Sequence, residues 1–106
     1  MFDAMDVSDQ AIRALRGPVR ALASRDPDLA RQIKRAGSSI PMNIAEGRRR
    51  VGRDRKHHWR VAAGSAAEVR AALRTAIAWG DLDEGSVDEA LALLDRVIAM
   101  LWKMTR

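Results

Sequence analysis

The chain has 106 residues, of which 47% are apolar, 31% are charged and none is cysteine, as expected for one small folded domain covering residues 1–106. The lack of cysteine excludes disulfides, thiolate metal sites and cysteine nucleophiles, and it fits a reducing cytoplasm. The first residues lack the order of a signal peptide, and no apolar run reaches the ~20 residues that cross a bilayer. We therefore expect a cytoplasmic protein with no membrane contact.

The positive charge is concentrated in one segment. Residues 48–60 contain seven of the 19 Lys and Arg but one acid, Asp54, so this segment carries +6 while the rest of the chain carries −1. Such local charge is typical of surfaces that bind the phosphates of RNA or DNA, although a solvated helix end gives the same pattern. The candidate nucleic-acid-binding residues are Arg48, Arg49, Arg50, Arg53, Arg55, Lys56 and Arg60.

Apolar residues at spacings of three and four predict a first helix over about 7–24. Pro18 lacks the N–H of an intrahelical hydrogen bond, so this helix is expected to kink or to restart there. A second helix is predicted to begin with Asp26 as N-cap and Pro27 at the first helical position.

The second helix contains a proline in its interior. Pro41 cannot donate to the carbonyl of Gly37, which predicts a fixed bend between these residues, and the hydroxyls of Ser38 and Ser39 can bond the freed backbone groups. We interpret this segment as architecture rather than as a ligand site.

A third helix is predicted over about 54–79, and its apolar residues lie on more than one face. It must therefore be buried on more than one side or pack against another subunit. A turn over 80–85 and a capping box of Ser86 with Glu89 predict a fourth helix ending near residue 106. The connections are short, so the pattern indicates an all-α, up-down-up-down antiparallel four-helix bundle.

Two segments resemble a known family. Residues 39–47, SIPMNIAEG, resemble the S-I-P-x-N-I-A-E-G signature of the four-helix-bundle proteins encoded by intervening sequences of bacterial 23S ribosomal RNA. Residues 60–69, RVAAGSAAEV, look like the R-I-A-x-G-S-x-x-E-L segment of that family. The residues that match these motifs and that we expect to be structural are Ser39, Pro41, Asn43, Glu46, Gly47, Gly64 and Glu68.

The resemblance implies a bundle that assembles as a ring, homopentameric in relatives, with a poorly defined biochemical function. A related bundle is the basic accessory protein of diversity-generating retroelements, where it partners a reverse transcriptase and nucleic acid. Both properties are compatible with a local charge of +6.

The sequence contains no convincing catalytic or metal-binding pattern. Glu46 and Glu68 lack the His three residues later that di-iron bundles need, and we expect them to be exposed or to pair with residues such as Arg35 and Ser65. The adjacent histidines 57 and 58 point about 100° apart on a helix, so they cannot chelate one metal and are expected to extend the basic surface. No cofactor and no metal are predicted.

The three tryptophans, Trp59, Trp79 and Trp102, are too far apart for an evident base-stacking platform, so we expect them in the core or an interface. We predict a non-enzymatic, homo-oligomeric protein, with the pentamer that the resemblance implies, that contacts RNA or DNA phosphates without much sequence selectivity. One alternative is a protein scaffold, such as an accessory subunit of a reverse transcriptase, without nucleic-acid contact. Another is a nuclease that uses Glu46 and Glu68.

Overall fold

The computed structural model describes residues 3–106, and four α-helices account for most of this range. They are α1 (Ala4–Ala23), α2 (Pro27–Arg48), α3 (Gly52–Trp79) and α4 (Asp88–Met104), with a short 3₁₀ helix at Glu84–Val87 before α4. No strand occurs between residues 3 and 106. The prediction of an all-α chain with four helices is confirmed.

Helix α1 begins three residues earlier than predicted because Asp3 and Asp6 form a capping box at its start. Of the two outcomes expected at Pro18, the restart is wrong, since α1 runs unbroken through this residue, and the kink stays a prediction. Leu15, Pro18 and Leu22 are all buried at helical spacing, and burial of this stripe favours a continuous helix despite the lost hydrogen bond.

Helix α2 starts as predicted. The side chain of Asp26 accepts the backbone N–H of Leu29 at 3.0 Å, and Pro27 occupies the first turn. Pro41 lies inside the unbroken helix, and the bend assigned to it stays a prediction. The hydroxyl of Ser38 donates to the carbonyl of Lys34 at 2.8 Å rather than to that of Gly37.

The hydrophobic core receives side chains from all four helices. Along the predicted apolar stripes, residues such as Leu22, Ile40, Leu73 and Leu94 have no exposed surface. Burying a side chain of this size contributes about 1.5–3 kcal/mol to folding. The apolar residues of α3 outside its main buried stripe differ in exposure. Ala63 is buried, Ala72 is half-buried and Val61 is exposed, so more than one side of this helix is covered within the chain.

Helix α2 packs most extensively on α3, and the two helices run past each other in a defined register. Ser39 contacts Ser65, whereas Asn43 contacts His58 and Ile44 contacts Trp59, so the earlier residue of α2 meets the later residue of α3. Helix α1 packs on α2 and α4, and α4 packs on α3. The molecule measures 43 × 26 × 18 Å.

The start of α4 differs from the prediction. Ser86 does not head a capping box with Glu89, because it lies in the 3₁₀ helix and donates to the carbonyl of Asp83 at 2.6 Å. Helix α4 begins at Asp88 with Val87 as N-cap and no capping side chain. Leu82 and Val87 are both buried, and anchoring these two side chains in the core explains why the chain turns as a 3₁₀ helix here.

Candidate nucleic-acid interface

The seven cations of segment 48–60 lie where α2 passes into α3, and we call them the basic junction. Arg48 ends α2, the connection spans residues 49–51, and the remaining four cations lie on the first turns of α3. Gly52 begins α3 with a φ of +57°, in the left-handed region that favours glycine. This turn brings cations of both helices to one end of their shared interface.

Two carboxylates neutralise part of this charge near the end of α2. Glu46 accepts hydrogen bonds from Arg49 at 2.8 and 2.9 Å and from Arg50 at 3.2 Å. Arg50 also donates to Asp54 at 2.9 Å. The hydrogen bonds from Arg49 and then Arg50 hold the pKa of Glu46 below its ordinary value, and the bond to Glu46 is the main reason that the pKa of Arg50 is raised.

A third carboxylate reaches the basic junction from the start of α1. Arg48 donates to Asp3 at 2.8 Å across 45 residues of sequence. The pKa of Asp3 is lowered chiefly because its side chain accepts the backbone N–H of Asp6, with a smaller contribution from Arg48. Seven cations therefore face three carboxylates, and an excess of four positive charges remains.

Arg55 is committed to a structural role within the junction. Its Nε donates to the carbonyl of Gly47 at 3.0 Å, and a terminal nitrogen donates to the carbonyl of Arg48 at 3.1 Å. Its guanidinium lies 5.5 Å from the ring centroid of Trp59, within cation–π range. Arg55 thus bonds two carbonyls at the end of α2, that of Arg48 and that of Gly47, which also accepts the backbone N–H of Arg50.

The other cations differ in how freely they could meet a ligand. Arg60 donates to the carbonyl of Thr105 at 3.3 Å and so links α3 to the end of α4. Arg53 and Lys56 are exposed and have no hydrogen-bond or ion-pair partner in residues 3–106. Arg49 is paired, yet its side chain is 75% exposed. Arg53 and Lys56 are therefore the cations most available to phosphate.

A polar network that the sequence did not reveal lies beside the basic junction, between α2 and α3. Asn43 donates through Nδ2 to both the carbonyl and the hydroxyl of Ser39, each at 3.0 Å, and Ser65 donates to the same hydroxyl at 2.9 Å. The Oδ1 of Asn43 lies 3.1 Å from Nδ1 of His58. Because the amide nitrogen of Asn43 is already donating, its oxygen must accept, and Nδ1 of His58 carries a proton.

This network corrects two of our expectations. His58 is half-buried against Asn43 instead of extending the exposed basic surface as His57 does. Ser65 bonds Ser39 and not a glutamate, and Glu46 pairs with arginines of its own junction rather than with Arg35. The information that reveals the contact between Asn43 and His58 is the register of the two helices, because residues 43 and 58 lie at the same level once α2 packs on α3.

The remaining motif residues have different surroundings. Glu68 is exposed on α3 and has no partner within residues 3–106. Gly64 is also exposed, and a Cβ at this position would meet nothing within 4 Å. Gly47 is buried against Trp59, so of the two matched glycines Gly47 is the one required by a close approach of side chain to backbone.

The three tryptophans also differ in how much of each side chain is exposed. Trp59 is half-buried against the core, as predicted, whereas Trp79 is 75% exposed and Trp102 is 53% exposed. A core position is therefore wrong for the last two, which lie at the ends of α3 and α4.

Neither a metal cluster nor a membrane span is found in the part of the chain that the structure describes. No three His, Asp or Glu side chains come close enough together there to hold a metal ion. None of the helices between residues 3 and 106 combines the length and apolar character needed to cross a bilayer.

The comparisons with known proteins bear on the fold and the family. A solved structure from Bacteroides thetaiotaomicron, described as a protein with unknown function from the S23 ribosomal protein family, superposes with a TM-score of 0.83 at 20% identity, covering 97% of this chain and 98% of that one. None of the curated proteins matches the chain. Residues 4–103 match the family described as 23S rRNA-intervening sequence protein, and the chain therefore belongs to this family.

Proposed function

We propose that this protein is a non-enzymatic, cytoplasmic nucleic-acid-binding protein whose basic junction contacts the phosphates of RNA or DNA. The observation that carries the proposal is the gathering of seven cations from α2 and α3 at one turn, with an excess of four charges after internal pairing. Each phosphate contacted by Lys or Arg releases condensed counterions, which is the main source of affinity for nucleic-acid backbones.

The internal ion pairs do not prevent phosphate binding. The side chains of Arg48, Arg49 and Arg50 are exposed, as are Asp3 and Asp54, while Glu46 is half-buried, and ion pairs at the protein surface stabilise by only about 0–1 kcal/mol each. A phosphate can therefore replace a carboxylate partner at little cost. Arg53 and Lys56 have no carboxylate partner in residues 3–106 that a phosphate would need to replace, and we propose that they contact phosphate first.

Recognition is expected to be insensitive to base sequence. Lys and Arg contacts to phosphate position a nucleic acid but do not read its bases. The exposed tryptophans, Trp79 and Trp102, are not among the residues of the basic junction, and Trp59, which lies beside Arg55 within it, is half-buried. The family description makes 23S ribosomal RNA, together with its intervening sequences, the first ligand to test.

We further propose an up-down-up-down antiparallel arrangement of the four helices and assembly of the bundles into a ring, with five copies as the resemblance implies. The register of α2 on α3 supports the antiparallel arrangement. Exposed apolar side chains at Met42, Val61 and Trp79 support burial against another copy. A ring would multiply the phosphate contacts of each junction through avidity.

The test compares two double variants of equal charge change. Arg53→Gln with Lys56→Gln removes the two unpartnered cations of the junction, whereas Arg13→Gln with Arg74→Gln removes two exposed, unpartnered cations from outside it. At ~0.7 per phosphate on a single strand, the first variant lowers the log–log salt slope of RNA binding by about 1.4, and the second leaves it near that of the parent. Equal slopes for both variants would contradict the assignment.

A protein scaffold, such as an accessory subunit of a reverse transcriptase, is the second candidate, and the exposure of Trp79 and Trp102 favours it. It predicts no binding of RNA or DNA by the parent even at low salt. The nuclease alternative has less support, because Glu46 is held by two arginines and no group of three or more His, Asp or Glu side chains in the described residues could hold a metal ion.

A further inference from the structure

A groove of about 400 Å³ lies on the surface between α1 and α2, away from the basic junction. Its apolar lining includes Leu15 and Val19 of α1 and Ile33 of α2, and it is open to solvent on one side. A small ligand bound there would keep one face in water, whereas ligand sites usually enclose most of the molecule. The groove is better suited to a side chain presented by another protein surface.

Three cations rim this groove. Arg16, Arg20 and Lys34 line it, and no carboxylate does. Their side chains form no hydrogen bond or ion pair with any residue in the range 3–106. The groove therefore offers an apolar floor within a ring of uncompensated positive charge, which fits an apolar anchor flanked by acidic residues.

The chain itself presents such a surface at the end of α3, which we call the acidic corner. Trp79 is 75% exposed, and the acids that follow within five residues are Asp81, Asp83 and Glu84. None of these three carboxylates has an ion-pair partner in the described part of the chain. An exposed tryptophan is the side chain most enriched among residues that dominate protein interfaces, and burying it removes ~150–250 Å² from water.

We propose that the acidic corner of one copy docks into the α1–α2 groove of a second copy, with Trp79 on the apolar floor and its three acids facing Arg16, Arg20 and Lys34. Three unpaired carboxylates then meet three unpaired cations. The corner follows the end of α3, and the 3₁₀ helix that begins with Glu84 contacts α1, one of the two helices that form the groove. This inference rests on the self-assembly proposed above and names the contact that produces it.

The contact joins two different surfaces, so a pair of copies held by one such contact leaves one groove and one corner free. Contacts of this kind generate closed rings when the rotation between copies closes, and open chains when it does not. Reciprocal docking, with each corner in the groove of the other copy, gives a two-fold dimer instead. The proposed docking is therefore consistent with a ring of five and does not require two-fold symmetry.

The experiment uses charge reversal on each surface of the full chain, with circular dichroism to verify folding. A corner variant carries Asp83→Lys and Glu84→Lys, and a groove variant carries Arg16→Glu and Lys34→Glu. Each alone is expected to raise the concentration for half-dissociation, measured by light scattering, on the order of 100-fold, since like charges then face each other. Mixing the two in equal amounts restores association, because every corner again meets a groove of opposite charge.

Five copies cannot alternate two kinds of subunit around a ring, so the mixture is expected to give associated species of other sizes. Trp79→Ala, which changes no charge, should also weaken association. An assembled parent whose mass is unchanged in both reversal variants would overturn the docking while leaving self-assembly intact. A parent that is monomeric at micromolar concentration would overturn self-assembly as well, and RNA binding by that monomer would still be measured separately.

Discussion

The indole of Trp59 occupies the space that a side chain at Gly47 would need. A Cβ at position 47 would lie 2.5 Å from Nε1 of Trp59 and 3.2 Å from the carbonyl oxygen of Arg55. The same Nε1 donates to the carbonyl of Ile44 at 3.2 Å. This contact fixes how closely the end of α2 approaches α3, and it thereby positions the basic junction.

Replacing Gly47 with Ala should destabilise the protein although alanine favours helices. The helix preference contributes about 1 kcal/mol in favour of Ala, while overpacking against an anchored indole costs about 1–3 kcal/mol. Gly64→Ala is the matched control, because nothing lies within 4 Å of the added Cβ, and it should be neutral or stabilising. Urea unfolding compares the two, and a Gly47→Ala protein more stable than the parent would contradict the packing described.

Arg55 and Arg53 carry the same charge two residues apart but should differ in their effect on stability. Arg55→Ala removes the bonds to the carbonyls of Gly47 and Arg48 and should cost about 1–3 kcal/mol. Arg53→Ala alters an exposed, unpartnered side chain and should change the free energy of unfolding by no more than about 0.5 kcal/mol. Equal effects of the two would mean that the carbonyl contacts of Arg55 do not stabilise the fold.

The Asn43 network should be sensitive to the loss of its central amide. Asn43→Ala removes the partner of His58 Nδ1 and the two bonds that Asn43 donates to Ser39, whose hydroxyl keeps the bond from Ser65, and this should cost about 1–3 kcal/mol. Ser38→Ala is a control from the same helix, because the hydroxyl of Ser38 is exposed and makes one local bond. In thermal unfolding, Asn43→Ala should lower the midpoint temperature clearly, whereas Ser38→Ala should lower it little.

Acid should remove the contribution of the Glu46 carboxylate to the free energy of unfolding. Its pKa is held below the ordinary value of 4.5, so the stability that its ionised form supplies is present above about that pH. That stability is lost as the pH falls through the lower pKa of the folded state. The difference in free energy of unfolding between the parent and Glu46→Gln should therefore shrink as urea titrations move from pH 7 toward pH 3. A difference independent of pH would show that the carboxylate charge is not involved.

Features set by neighbouring residues could be predicted from the sequence, whereas those set by tertiary packing could not. The Asp26 cap and the Pro27 position follow from two adjacent residues, and the structure contains both. Ser86 has the right residue at the right spacing for a cap, yet the burial of Leu82 and Val87 overrides it. Pro18 is tolerated for the same reason, since its helix is held by the core on both sides of it.

In the candidate site, too, features set by neighbouring residues could be predicted, and those set by tertiary packing could not. The clustering of seven cations is visible in residues 48–60, but their partners are not, because Asp3 and Thr105 each lie 45 residues from the arginine that binds them. Arg55 and Lys56 look alike in the sequence, and the packing of Trp59 is what makes Arg55 structural. Only the register of α2 on α3 separates cations that can meet a ligand from those already engaged.

The central claim is that the basic junction binds nucleic-acid backbones, and the most direct measurement is the salt dependence of binding by the parent protein. Labelled single-stranded RNA of two unrelated sequences is titrated at several salt concentrations. Contact with ~4 phosphates predicts a log–log slope of about −3, and phosphate recognition predicts nearly equal affinities for both sequences. Absence of binding at low salt, or an affinity independent of salt, would contradict the claim.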